Sequence, residues 1–334
     1  MAKLKKQHMT IHWKAIVQDD SSIPATEATL KEKATLVGRI GLMMLSVGTG
    51  AWRVRNSMNK VARCLGITCT ADIGLLAISY TCIEGTDTYT QSISNPTTGV
   101  NTHKLMQLEL FMKEFPDKVS TYSVKHIHEV LDEIQKLPAN YKAWNLGLAS
   151  ALACGAFTFL LGGGPVEMCC AFLGAGVGNF VRKKMLGHSI SLLANVAVSV
   201  AASCLVYVLT ILLAQSLLSV SAVHQAGYIC AMLFVIPGFP LITGGIDLAK
   251  LDLRSGLERV SYALLIILTA TMTGWATAVI CHFQPADFEP LQLQKWTLLC
   301  FRLIASFCGV FGFSIMFNSP TRLAAVAAGI GAIA

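Results

Sequence analysis

The 334-residue chain changes its hydrophobic pattern part-way along. Up to about residue 142 apolar and charged positions intermingle at short intervals, and beyond it the apolar positions fuse into long runs. Runs of about 18 or more apolar residues match the length of a membrane-spanning helix. Six stretches approach this: Ala143–Leu161, Pro165–Val181, Ile190–Ala214, Gln225–Ile246, Val260–Cys281 and Trp296–Phe317. Pro237-Gly238-Phe239-Pro240 interrupts the fourth. A seventh run opens at Leu323 and reaches Ala334 well short of a span, so we expect a truncated sequence there.

The first part predicts a small α/β module. Glu27–Leu65 has helical character, with Thr26 as the expected N-cap and Glu27 in the first turn. Ile67–Ile83 is rich in Ile, Thr, Leu and Tyr, and with Thr88–Ile93 it predicts a hairpin across Glu84-Gly85-Thr86-Asp87. Lys104–Phe115 and Ser123–Lys136 read as helices, the second ended by Leu137-Pro138. His126 and His128 are two apart, point different ways on a helix, and read as surface histidines. Leu36–Trp52 is apolar enough to resemble a short span. Arg39, Ser46, Thr49 and the local glycines favour a buried or interfacial helix, and membrane contact there stays open.

Charge sharpens this division. Residues 1–143 hold 17 of the 26 Lys and Arg and 13 of the 19 Asp and Glu. Lys and Arg collect on the cytoplasmic side of membrane proteins, so loop charges report topology. Arg182-Lys183-Lys184 follows the second run, Lys250, Arg254 and Arg259 follow the fourth, and Arg322 follows the sixth. The alternate loops lack Lys and Arg: Gly162–Gly164 is uncharged, Leu217–Gln225 has no Lys or Arg, and His282–Gln294 holds only Asp287 and Glu289. Lys295 alone is out of place. A secretory signal needs an apolar core of about 7–15 residues, whereas Lys3, Lys5 and Lys6 precede Gln7-His8 and His12-Trp13-Lys14. The expected fold class is an α-helical integral membrane protein with a small cytoplasmic α/β N-terminal domain.

The net charge of +7 is spread too thinly for a nucleic-acid surface. Eight of the 11 cysteines lie in or beside apolar runs as small hydrophobes, and Cys64, Cys69 and Cys82 fit a reducing cytosol. No metal-ligand spacing occurs and no cofactor is expected. No phosphate-binding loop or catalytic pattern is present, so an enzyme is not expected. Gly174, Gly176 and Gly178 lack a preceding strand and read as a small-residue face for helix packing.

Polar groups within the apolar runs carry more weight, because burying them in hydrocarbon is costly. Glu167 admits two readings: a carboxylate favoured by a helix N-terminus, or a proton acceptor near an outer vestibule. Asp247 is either interfacial or functional. Asn179 and Asn195 either contact a solute or link helices. The break at Pro237, Gly238 and Pro240 removes amide donors at membrane depth. Such breaks are packing kinks, or they line the substrate and ion sites of transporters.

Two motifs resemble a known family. Gly48-Thr49-Gly50-Ala51-Trp52-Arg53-Val54-Arg55-Asn56-Ser57-Met58-Asn59, with Ala62 and Leu65-Gly66, resembles the opening motif of the threonine/serine exporter family. Pro237-Gly238-Phe239-Pro240-Leu241, followed by Asp247-Leu248, resembles its Pro-Gly-x-Pro-Leu signature. The likeness runs over roughly residues 27–281. It implies a multi-pass, proton-driven exporter of threonine and serine in the bacterial inner membrane, with its N-terminus in the cytoplasm. Relatives in the family are linked to dicarboxylate (succinate) export. Members also carry a second hydrophobic module, fused or separate, whose start residues 296–334 resemble. The expected domains are then a tail over 1–26, an α/β domain over 27–142, a five-helix transmembrane module over 143–281 and the start of the second module over 296–334. The expected partners are a small amino or carboxylic acid, the lipid bilayer, and a second copy or second-module subunit. The substrate and ion pathway would use Pro237, Gly238, Pro240, Asp247, Glu167, Asn179 and Asn195, with Arg53 and Arg55 drawing carboxylates at the cytoplasmic mouth. A non-transporting scaffold or sensor with a ligand-binding cytoplasmic domain is the alternative.

Overall fold

The structure is a computed structural model and describes residues 11–13, 23–95, 99–186, 188, 190–218, 224–283, 288 and 291–334. Lys3, Lys5 and Lys6, most of the N-terminal tail, residues 219–223, Asp287 and Glu289 lie outside the described residues. Two compact units form: Lys5–Pro138 with Gly238–Tyr262, and Ala139–Pro237 with Ala263–Ala334. The first thus takes in a stretch, 238–262, that lies within the expected transmembrane module.

The N-terminal unit is built around α1 (Leu30–Ser46), which is buried along most of its length. The expected N-cap, Thr26, lies in a 3₁₀ turn (Ala25–Glu27). The cap is Thr29, whose hydroxyl accepts the Glu32 amide while Glu32 returns a carboxylate to the Thr29 amide. A reciprocal capping box satisfies two donors at once, which Thr26 has no partner residue to do. The helical stretch is also two helices rather than one. Gly48, with φ +97°, ends α1, and α2 (Ala51–Cys64) starts after it. The segment 36–52 that resembled a short span is therefore mostly a core helix followed by a turn.

Three antiparallel strands follow in the order β1 (Thr68–Ile73), β2 (Ala77–Glu84) and β3 (Asp87–Ser94). The β2–β3 hairpin closes at Glu84 and Asp87 as expected, with Gly85 at φ +60°. Ile67–Ile83 folds back on itself as a second hairpin, pairing Ile73 with Ile78 and Thr68 with Ile83. Ile78, Tyr80 and Cys82 point into the core, and hydroxyl pairs Ser79–Ser92 and Thr81–Thr90 cover the other face. Two helices complete the unit, α3 (Thr102–Lys118) and α4 (Val124–Lys136). On α4, Val124, Ile127, His128, Leu131 and Ile134 share the buried face. His126 is indeed exposed. His128 is not a surface residue: its spacing places it inward, where its Nδ1 lies 2.8 Å from Arg39.

The second unit contains α5 (Ala143–Leu160), α6 (Pro165–Leu186), α7 (Leu192–Leu218), the short α8 (Tyr228–Ala231), α11 (Lys295–Met316) and α12 (Thr321–Ile333). Two further helices are α9 (Gly238–Ala249), in the N-terminal unit, and α10 (Leu253–Ile280), whose first turns belong to that unit. Four helices among the described residues, α5, α7, α10 and α11, are long and apolar enough to cross a membrane. Tyr228–Val235 and Gly238–Ala249 form a broken fifth. The six expected runs thus yield one fewer clear span. Glu167, Asn179 and the Arg182-Lys183-Lys184 end dilute the apolarity of α6. In the second unit α5 packs on α6 and α11, and α6 packs on α7. A Cβ at Gly174 or Gly178 would come within 2.8 or 2.7 Å of Ser203, so the glycine stripe is a close-packing face.

Candidate functional site

The first motif places its residues at a helix junction. After Gly48, the Thr49 hydroxyl donates to the Met44 carbonyl at 2.6 Å, and Gly50 becomes the N-cap of α2. Gly50 has no side chain to satisfy the free amides of that helix end. The cap comes instead from Asp247 on α9: both of its carboxylate oxygens lie 3.0 Å from the Ala51 amide nitrogen. A carboxylate is favoured there by the helix dipole as well as by the N–H donor. Glycine is needed for this approach, since a Cβ at Gly50 would lie 2.8 Å from Asp247 Oδ1.

The first turns of α10 supply the remaining partners. Ser255 Oγ donates to Asp247 Oδ2 at 2.9 Å, and Arg259 Nε lies 3.2 Å from the same oxygen. Arg259 Nη2 also donates to the Thr49 carbonyl at 2.6 Å. Ser255 and Arg259 are four apart and so share a helix face. Asp247 is fully buried and Arg259 is 2% exposed. Burying two charges is costly unless the geometry satisfies both, and here each ion has several partners. The cluster therefore joins the α1–α2 turn, α9 and α10 through one carboxylate.

Further ion pairs surround it. Asp252 takes the Arg55 guanidinium through two bonds, of 2.9 and 2.6 Å, and this pair raises the Arg55 pKa. Arg55 Nε also donates to the Ala71 carbonyl. Arg53 pairs with Glu109 on α3. Both arginines expected to draw carboxylates already hold one. The Leu75 amide donates to Glu258 at 2.6 Å, and the Lys250 ammonium stands 4.4 Å from the centre of the Trp52 ring.

The second unit carries its own polar cluster. Glu167, 3% exposed in the first turn of α6, accepts the Gly164 amide through Oε2 at 3.0 Å. Its Oε1 lies 2.7 Å from Nδ1 of His224, and the Tyr207 hydroxyl donates to the His224 carbonyl at 2.7 Å. Glu167 thus joins its own helix end and also holds a titratable partner.

A family model described as "Putative threonine/serine exporter" matches residues 35–281, spanning both motifs and both clusters. The chain belongs to the threonine/serine exporter family. Among similar proteins, the "Probable succinate transporter subunit YjjP" of Klebsiella aerogenes is 25% identical over 241 residues, covering 71% of this chain and 89% of that protein. The protein of the same name from Escherichia coli strain K12 is 24% identical over 240 residues, covering 72% of this chain and 90% of that protein. No solved structure matches the chain.

Within this exporter chain the remaining expected residues have defined surroundings. Asn179 Nδ2 donates to the Leu146 carbonyl of α5 at 2.7 Å, and Asn195 Nδ2 donates to the Arg182 carbonyl of α6 at 3.2 Å. Both link helices, and both keep a buried Oδ1 without a partner among the described residues. The Pro-Gly-x-Pro segment ends one helical stretch and starts another. A 3₁₀ turn (Leu233–Val235) precedes Pro237, and Pro240 is the third residue of α9, where amides have no helical acceptor. In the second unit, the carbonyls of Ala231 and Phe234 before this break accept from Ser203 Oγ and Arg182 Nη1. No group of three His, Cys, Asp or Glu able to hold a metal occurs among the described residues.

Sequence reasoning missed Ser255, Asp252, Arg259 and His224 as members of these clusters. Arg259 read only as a loop charge, although its i, i+4 spacing from Ser255 was visible. His224 lay in a loop judged free of Lys and Arg, and its pairing with a residue 57 positions away has no local signal.

Proposed function

We propose that this chain is a secondary transporter of the bacterial inner membrane that exports small hydroxy amino acids, threonine and serine, using the proton gradient. Family membership supports transport, and the long apolar helices and the Lys and Arg content of alternate loops support a multi-pass topology with a cytoplasmic N-terminal domain. The observation that carries the mechanism is the convergence of both family motifs on the buried Asp247–Arg259 pair. A proton or a substrate ammonium competing for Asp247 would release Arg259 and the Ala51 amide together, loosening the α1–α2, α9 and α10 junction. A passive anchor has no use for such a junction.

In this reading Glu167 and His224 form a proton-accepting pair on the outer side. The Pro237, Gly238 and Pro240 break lines the pathway, with the Oδ1 atoms of Asn179 and Asn195, unpartnered among the described residues, as polar contacts. Arg53, which is partly exposed, exchanges Glu109 for a substrate carboxylate at the cytoplasmic mouth, while Arg55 there is held by Asp252. The names of both relatives favour a second reading, succinate as the cargo, and their word "subunit" supports a second-module partner. The test is efflux of labelled threonine, serine and succinate from loaded cells with and without the gene. Gene-dependent threonine or serine efflux supports the first reading and succinate efflux alone the second. Unchanged efflux of all three removes both.

A further inference from the structure

The N-terminal unit holds a second polar feature, whose lining residues are distinct from those of both motif clusters. A cavity of about 350 Å³ lies among α1, α3, α4 and the end of β3. That volume is within the range of small-molecule sites, roughly 300–1,000 Å³. Its lining includes two cations, Arg39 and Lys104, and no carboxylate side chain. Leu42, Met43, Leu108 and Ile134 give it an apolar floor.

Both cations are incompletely matched. Arg39 is fully buried on α1. Its Nη atoms are taken by Asp132, Gln135 and His128, and its plane stands against the Trp13 ring, with 5.8 Å to the ring centre. Its Nε has no hydrogen-bond partner among the described residues. Leaving a charged donor buried and unpaired costs more than the bond it forgoes, so the geometry favours an acceptor from outside the chain. Lys104, in the first turn of α3, donates to the Gln135 carbonyl at 2.5 Å and pairs with no carboxylate among the described residues. Partial burial lowers its pKa. An anion beside it would reverse that loss. The N-terminal end of α3, capped by Asn101, adds its positive dipole to the same wall.

We propose that this cavity binds a small organic carboxylate with an apolar body, its charged end held by Lys104 and Arg39 Nε and its body on the Leu42–Leu108–Ile134 floor. Nothing in the transport reading uses these residues. The site is a ligand-sensing pocket of the N-terminal unit, and it stands whether or not the chain transports threonine.

The test uses the full chain in lipid nanodiscs and calorimetric titration with 4-methylpentanoate, its neutral amide and the matching amine. The carboxylate is expected to bind saturably, and the amide and amine about tenfold or more weakly, as expected when a charge-assisted bond is lost. Lys104→Met, a half-exposed position, is expected to weaken carboxylate binding about tenfold, while Lys118→Met, at an exposed lysine of the same helix outside the cavity, leaves it unchanged. Equal binding of acid and amide, no binding of the acid, or binding untouched by Lys104→Met would overturn the proposal. So would equal weakening by Lys118→Met and Lys104→Met, which would show a general loss of positive charge rather than a site.

Discussion

Both carboxylate oxygens of Asp247 lie 3.0 Å from the Ala51 amide nitrogen, across 196 residues of chain. The N-cap of α2 is thereby supplied by a distant helix, and its natural position is held open by Gly50. Gly50→Ala tests that arrangement. The backbone there has an ordinary φ of −66°, so the whole penalty is steric, from a methyl group 2.8 Å from Asp247 Oδ1. Overpacking of this kind costs about 1–3 kcal/mol, and a lowered melting temperature of the purified protein is the expected result. An unchanged melting temperature would mean that Asp247 does not stand where it is described.

The Asp247–Arg259 pair is expected to be strongly coupled. Arg259→Gln leaves a carboxylate buried without its main counter-charge, at a cost of about 3–5 kcal/mol. Adding Asp247→Asn should recover part of that loss, because the uncompensated charge disappears. The measurement is a double-mutant cycle on unfolding stability, and strictly additive effects would contradict the pairing.

Much of this arrangement is invisible in the order of residues. The apolar runs revealed long helices because hydrocarbon-length periodicity is local, and Glu84-Gly85-Thr86-Asp87 revealed a hairpin because its turn chemistry is local. The 73–78 hairpin was missed because Gly74-Leu75-Leu76 looks like a continuation of a strand. Thr26 looked like the cap because Glu27 follows it as a first-turn acid, whereas the reciprocal Glu32 marks Thr29. Among the site residues, Asp247 and the proline–glycine segment were legible by their rarity in apolar sequence. Their partners were not. Ser255 and Arg259 become part of a site only once tertiary folding brings the α2 N-terminus to them, and Arg53 and Arg55 look like free cations until Glu109 and Asp252 are placed.

Two directly opposed cysteines offer a chemical check on the sheet. Cys69 on β1 faces Cys82 on β2. A hydrogen bond from Cys82 lowers the Cys69 pKa, whereas the same bond and burial raise that of Cys82. A lowered pKa means more thiolate at neutral pH, and the thiolate is the nucleophile. Brief alkylation at neutral pH followed by peptide mass spectrometry should label Cys69 well before Cys82. Equal labelling would contradict the burial of Cys82 beside a partly exposed Cys69.

Glu167 and His224 are expected to act as a unit. Each single change, Glu167→Gln or His224→Gln, should slow efflux several-fold, and the double change should slow it little further, because residues sharing one function are non-additive. Efflux rates of the three variants from loaded cells decide this. Fully multiplicative losses would show two independent roles.

The central claim is that the Asp247 junction is where transport is controlled, and efflux by Asp247→Asn tests it most directly. Asparagine keeps the size and one acceptor oxygen but removes the charge that holds Arg259 and attracts a proton. With membrane abundance matched by immunoblot, the expected result is gene-dependent efflux of the transported acid reduced about tenfold or more, in line with the loss of a charge-assisted contact. Normal efflux by a normally inserted Asp247→Asn protein would contradict the account.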